Sequence, residues 1–207
     1  MKVLFIESSP RGEQSHSSQA ANAYLKALGG DATVYHLNLW ETELPEMSGP
    51  TITAKYKQIR QQEKTADEQQ AWDKVTRLAQ GFKDADIILI TVPMWNFQIP
   101  YRLKHYIDVI SQPGLTFNVD EDGNYQGNTD AKAVLVYSRG GDYSDQNGET
   151  DPFNFQQPYM HAWLNFLGID DIEDVAVQNT LSGDSVASEQ IQQAADKLEK
   201  LARSVNS

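Results

Sequence analysis

Residues 87–110 read IILITVPMWNFQIPYRLKHYIDVI. The opening run, Ile87 to Val92, is continuously apolar and of strand length, as expected of a central parallel strand buried on both faces. Pro93 to Ile99 follow as a loop. Pro100 suits the first turn of a helix, and Leu103, Tyr106, Ile107 and Ile110 recur behind it as an amphipathic stripe. A doubly buried strand, a loop and an amphipathic helix make half of a βαβ unit, which predicts an α/β protein with a parallel sheet.

The flanking sequence repeats that alternation. Lys2 to Glu7 contains the apolar run Val3-Leu4-Phe5-Ile6, a first buried strand. A polar loop spans Ser8 to Ser17. Ala20, Ala21, Tyr24, Leu25 and Leu28 then recur at helical spacing until Gly29-Gly30 stops the helix. Thr33 to Leu37 reads as a second strand. Trp40 to about Thr53 reads as loop, broken by Pro45, Gly49 and Pro50. From there to about Phe82 the residues are mostly good helix formers, with Trp72, Val75, Leu78 and Ala79 on the apolar face. Within Thr116 to Tyr125, Asp122-Gly123 predicts a hairpin turn. Ala131 to Tyr137 is a further buried strand, followed by the loop SRGGDYSDQNG. Tyr159 to Leu167 reads as a helix ended by Gly168, and Asp171 to Val177 as a last strand. Ile191, Ala194, Ala195, Leu198, Leu201, Ala202 and Val205 line a closing helix. Five strands alternating with helices predict a flavodoxin-like, doubly wound five-stranded parallel sheet, order 2-1-3-4-5, with helices on both faces.

The 207 residues suit one domain, 1–207. There are 29 acidic and 17 basic residues, a net charge of −12, which disfavours nucleic acid and anionic membranes as partners. The chain has no cysteine, so disulfides, Cys-ligated metals and Cys nucleophiles are excluded, and with them the cysteine-dependent phosphatases that share this topology. The N-terminal apolar run is too short for a signal sequence. No stretch approaches the ~18–20 apolar residues of a membrane helix. The expected location is cytoplasmic. Four scattered histidines give no metal-ligand spacing. His36 reads as a strand-edge residue, and His105 and His161 as solvent-facing. The Asp120-Glu121-Asp122 run reads as a solvated hairpin.

In such sheets ligands bind outside the carboxyl ends of the strands. Three loops leave that edge. SSPRGEQSHSS puts Ser9, Ser15, Ser17 and Ser18 at a helix N-terminus, whose unpaired N–H groups suit a phosphate monoester, with Arg11 a nearby cation opposed by Glu13. It reads equally as an ordinary capped βα loop, and neither GxGxxG nor a Walker P-loop is present. In VPMWNFQIP, Trp95 and Phe97 either line a planar ligand or pack the loop onto the sheet. In SRGGDY, Gly140 and Gly141 either admit a ligand close to the backbone or make a tight turn. Arg139 reads as a surface residue or a ligand contact.

The order and spacing of these loops is more specific than any one of them. Through SSPRGEQSHS, PMWNFQIPYRLKHYIDVISQPGLTF and SRGG, the whole chain resembles the FMN-dependent NADH-azoreductases, also called FMN-dependent NADH:quinone oxidoreductases. The resemblance implies that Ser9, Ser15, His16 and Ser17 hold the FMN phosphate. Met94, Trp95, Asn96 and Phe97 would run along the isoalloxazine, with Asn96 beside its reacting edge as the candidate catalytic residue. Ser138, Arg139, Gly140 and Gly141 would contact its pyrimidine end. It further implies ping-pong transfer of two electrons from NADH or NADPH to quinones or azo compounds, and a homodimer with sites at the subunit interface. One reading of the hairpin has Phe117 and Tyr125 cover the partner's pocket. Trp95 departs from the Tyr often found there, and Tyr143 from a His found in some members.

Three other functions compete. A flavodoxin-type electron carrier is usually shorter than this chain. An acyl carrier protein phosphodiesterase-like hydrolase needs a metal or an activated nucleophile, and neither arrangement is apparent. A non-enzymatic flavin-binding regulator would show no quinone turnover.

Overall fold

The computed structural model describes residues 1–144 and 151–205. The last four positions of the predicted loop Ser138–Gly148 lie outside the described residues. Among the described residues there are seven strands, β1 (Lys2–Glu7), β2 (Thr33–Asn38), β3 (Ile87–Pro93), β4 (Phe117–Val119), β5 (Tyr125–Gly127), β6 (Lys132–Ser138) and β7 (Ile172–Val177), and six α-helices. These are α1 (His16–Leu28), α2 (Gly49–Ile59), α3 (Ala66–Lys83), α4 (Tyr101–Ile110), α5 (Gln156–Phe166) and α6 (Asp184–Val205). Five strands form one parallel sheet, order β2-β1-β3-β6-β7. That is the expected 2-1-3-4-5 winding, with the hairpin β4–β5 inserted between its third and fourth strands.

Both faces of β3 are covered, as its continuous apolarity requires. Ile88, Ile90 and Val92 enter one core with Trp72, Phe82, Tyr106 and Trp163 from α3, α4 and α5. Ile87 and Leu89 enter the other with Ala20, Tyr24, Ala194 and Leu198 from α1 and α6.

The long helical stretch before Phe82 is two helices rather than one. Gln61 adopts a left-handed φ of 54°. Thr65 and Glu68 then form a reciprocal capping box that starts α3. Pro50, read as a breaker, instead lies in the first turn of α2, where its missing N–H costs nothing. His36 does lie on edge strand β2, and His105 and His161, read as solvent-facing, are only partly so. Both are half-buried and held: His105 Nε2 donates to the Pro45 carbonyl at 2.9 Å, and His161 Nε2 lies 2.6 Å from the Asp174 carboxylate.

The hairpin turns at Asp120–Asn124, where the Asp120 carboxylate accepts from the N–H groups of Asp122 and Asn124. Those bonds hold the Asp120 carboxyl below its usual range, the Asn124 side chain contributing most. The hairpin packs on the end of α5 so closely that a Cβ on Gly127 would fall on the backbone of Leu167 and Gly168. Gly127→Ala is therefore expected to destabilise the fold by about 2–3 kcal/mol, read as a fall in Tm of about 5–10 °C. An unchanged Tm would mean that the hairpin is not docked there.

Candidate functional site

Parallel register decides where the site forms. Glu7 of β1 pairs with Thr91 of β3, and Pro93 of β3 with Ser138 of β6. The loops after β1, β3 and β6 therefore leave the sheet side by side. Ser8 is tied across to β3 twice: its hydroxyl donates to the Thr91 carbonyl at 2.5 Å and its N–H to Thr91 Oγ1 at 3.2 Å. Met94 N–H donates to the Ser138 carbonyl at 2.8 Å, joining the second and third loops.

A cavity of about 220 Å³ opens between them, lined by Ser9, Arg11, Ser15 and His16 on one side and by Met94, Trp95, Ser138 and Gly140 on the other. Ser15 caps α1: its hydroxyl accepts the Ser18 N–H at 3.2 Å and lies 3.2 Å from Ser17 Oγ. Ser9, Ser15 and Ser17 are all buried. The first turn of α1 carries no acidic residue of its own, and a helix N-terminus offers unpaired N–H groups and a positive dipole end. Behind this turn, the buried Glu7 carboxylate accepts from Ser18 Oγ at 2.6 Å and lies 3.0 Å from His36 Nε2. Burial, and secondly the charge of Arg11, hold His16 below its ordinary pKa.

The second loop is a two-residue turn closed by Trp95 N–H to the Gln98 carbonyl at 2.8 Å and the reverse bond at 3.0 Å. Asn96 and Phe97 at its tip have φ of 47° and 68°. Asn tolerates that region, whereas Phe there is strained. The Phe97 ring lies tilted 5.1 Å from Phe153 and edge-on 6.4 Å from Tyr143. On the other side, Trp95 joins Trp40 and Tyr101 in an aromatic cluster with centroids 5.4–6.1 Å apart. Trp95 also walls a larger cavity of about 570 Å³, lined with Asn96, Tyr101, His105 and Tyr159.

Of the twelve residues singled out from the sequence, Ser9, Ser15, His16, Met94, Trp95, Ser138 and Gly140 line the smaller cavity together. Ser17 stands behind Ser15. Asn96 and Phe97 form the tip of the second loop, exposed to solvent. Gly141 is bonded through its carbonyl to the N–H of Asn179. Arg139 is only 3% exposed, and its side chain runs beneath the loop to Gln156. Thr180 and Leu181 also line the cavity and were not anticipated. They follow the last strand and run alongside residues 139–141, Thr180 N–H donating to the Arg139 carbonyl and Leu181 N–H to the Gly140 carbonyl.

A family model described as a flavodoxin-like fold matches residues 1–202. Among curated relatives, an FMN-dependent NADH:quinone oxidoreductase of Desulfotalea psychrophila is 41% identical over 92% of this chain and 90% of its own. The chain belongs to this flavodoxin-like family. A second relative, FMN-dependent NADH:quinone oxidoreductase 3 of Pseudomonas fluorescens, is 37% identical over 98% of this chain and 96% of its own. A solved FMN-dependent NADH-azoreductase from Bacillus anthracis, in complex with FMN, superposes with a TM-score of 0.86. It is 29% identical and covers 99% of this chain and 98% of that one.

Among the described residues, no helix is long and apolar enough to cross a membrane, and no group of three or more His, Asp or Glu side chains is placed to hold a metal. In an NMR titration of the flavin-free protein, the His16 ring is expected to titrate below its ordinary midpoint and to move part-way back in Arg11→Ala. A normal midpoint in the wild type would place His16 away from the cavity.

Proposed function

We propose that this chain is an FMN-dependent oxidoreductase that passes two electrons from NADH, or NADPH, to quinones or azo compounds. The observation that carries this reading is the cavity in which the buried Ser9 and the α1 cap Ser15, with Ser17 behind it, meet Met94 and Trp95. Buried hydroxyl and N–H donors, with Arg11 as a nearby cation and the His16 ring beside it, suit a phosphate monoester. A thioether and an indole suit the face of a planar ring. The names of the relatives at 37–41% identity agree with that donor set.

Ser9, Ser15, His16 and Ser17 would hold the phosphate of FMN. Met94, Trp95, Asn96 and Phe97 would line the ring, with Asn96 assigned to the reacting edge. Ser138, Gly140 and Gly141 would meet its other end. Bound FMN supplies two-electron hydride chemistry that no side chain here performs. The chain's own part is to bind, to orient and to favour negative charge. The α1 dipole and Arg11 stabilise an anion on their side of the cavity. Nucleotide and acceptor would take turns at the bound flavin, in ping-pong order. The net reaction converts NADH, a proton and a quinone into NAD⁺ and a hydroquinone.

We further propose a cytoplasmic homodimer. The support for the dimer is the hairpin, where Tyr125 (66% exposed) and Val119 (47% exposed) project from the aromatic group Phe117–Tyr125–Phe166. An exposed apolar patch of that kind is characteristic of a protein interface.

The purified protein, incubated with FMN and cleared of excess, is expected to show oxidised-flavin bands. Anaerobic NADH should bleach them, and a benzoquinone should restore them. A chain that stays colourless after FMN contradicts the reading. Bound flavin that NADH cannot bleach points to an electron carrier instead.

A further inference from the structure

Beneath the floor of the small cavity, one buried amide joins two of its edges. Gln156 opens α5 and has no solvent exposure. Its Nε2 donates to the Val92 carbonyl at 2.7 Å, and its Oε1 accepts from Arg139 Nε at 3.0 Å. Val92 immediately precedes Pro93 and Met94, which line the cavity, and Arg139 lies between Ser138 and Gly140, which line it too. The direct β3–β6 ladder ends at Pro93 and Ser138. Past that point, Met94 N–H to the Ser138 carbonyl joins the two loops, while Gln156 ties Val92, one residue before the end of the ladder, to Arg139, the first residue after it.

Arg139 is anchored at every level. Its N–H donates to the Val177 carbonyl at 2.9 Å, and its own carbonyl accepts from the Thr180 N–H at 3.1 Å and hydroxyl at 3.0 Å. Its guanidinium lies 5.0 Å over the Tyr137 ring. It also reaches the Tyr143 carbonyl, Asn154 Oδ1 and Gln157 Oε1, each at 3.4 Å. A planar guanidinium with several donors in a rigid fork suits such a tie between segments, and a lysine does not reproduce it.

We infer that Arg139 and Gln156 are positioning residues: a clamp that sets the spacing between the loop after β3 and the loop after β6, and so the width of the flavin cavity. The inference rests on the proposed FMN function. It assigns Arg139 a place under the site instead of the direct flavin contact that the family resemblance implies. Gln156 acquires a role that nothing in its local sequence announces.

The test is a double-mutant cycle on FMN affinity, read by fluorescence titration of flavin-free protein, with the visible band shape of the bound flavin as second readout. Gln156→Met and Arg139→Met should each raise the FMN Kd about tenfold, the ratio corresponding to one lost hydrogen bond to a charged group. Each should also blur the resolved flavin band. In the double variant the losses should not multiply, because both changes break the same tie. Gln156→Glu keeps an acceptor for Arg139 and turns the contact with the Val92 carbonyl from a hydrogen bond into oxygen-oxygen repulsion, so it should weaken FMN at least about tenfold, and it serves if the Met variants fail to fold. Unchanged affinity in the single variants, or losses that multiply in the double, overturns the clamp. A wild-type chain that takes up no FMN overturns the flavin reading itself, and the clamp with it.

Discussion

The parallel pairing of β1, β3 and β6 is the constraint on which the rest of the molecule depends. With Glu7 level with Thr91 and Pro93 level with Ser138, three loops distant in sequence must emerge at one edge. Antiparallel neighbours would have sent alternate loops to opposite ends. The parallel arrangement in turn requires crossovers and burial of both sheet faces, which is why β3 is apolar apart from Thr91 and why α1 with α6 and α3 with α4 and α5 are spent covering it.

The edge loops are then held more tightly than loops usually are. Ser8 is bonded to Thr91, Met94 to Ser138, Leu181 to Gly140 and Gln156 to both Val92 and Arg139. The proposed phosphate site, made from N–H groups and hydroxyls, would have to be preorganised in this way, because the molecule's net charge of −12 opposes any anion. Local donors act at hydrogen-bond distance, where they outweigh a diffuse field screened by salt over roughly 10 Å. The strain at Phe97 has the same character. A phenylalanine with a φ of 68° is kept there by its packing on Phe153 and Tyr143.

Much of this was legible in the sequence because it follows from periodicity. The apolar run at 87–92, the helical spacing at 103–110 and the Asp122-Gly123 turn each signal one local structure. The boundaries of α2 and α3 were not read because composition hid them. Arg60 to Lys64 are good helix formers, and only Gln61 in the left-handed region and the Thr65–Glu68 capping box divide the helices. The serines of the first loop were legible as a helix start. Thr180 and Leu181 were not, because they reach the cavity through tertiary bonds to Arg139 and Gly140. Arg139 and Gln156 show the same limit: an arginine beside two glycines carries no local sign of being buried, and its glutamine partner lies far along the chain.

The central claim is that the first turn of α1 is a phosphate cradle serving a flavin held by the other two loops. It is tested most directly by titrating the flavin-free protein with FMN and, separately, with riboflavin, which lacks only the phosphate. Two charge-assisted hydrogen bonds from the cradle predict that FMN binds about 100-fold more tightly or better. Equal affinities for the two flavins would contradict the account.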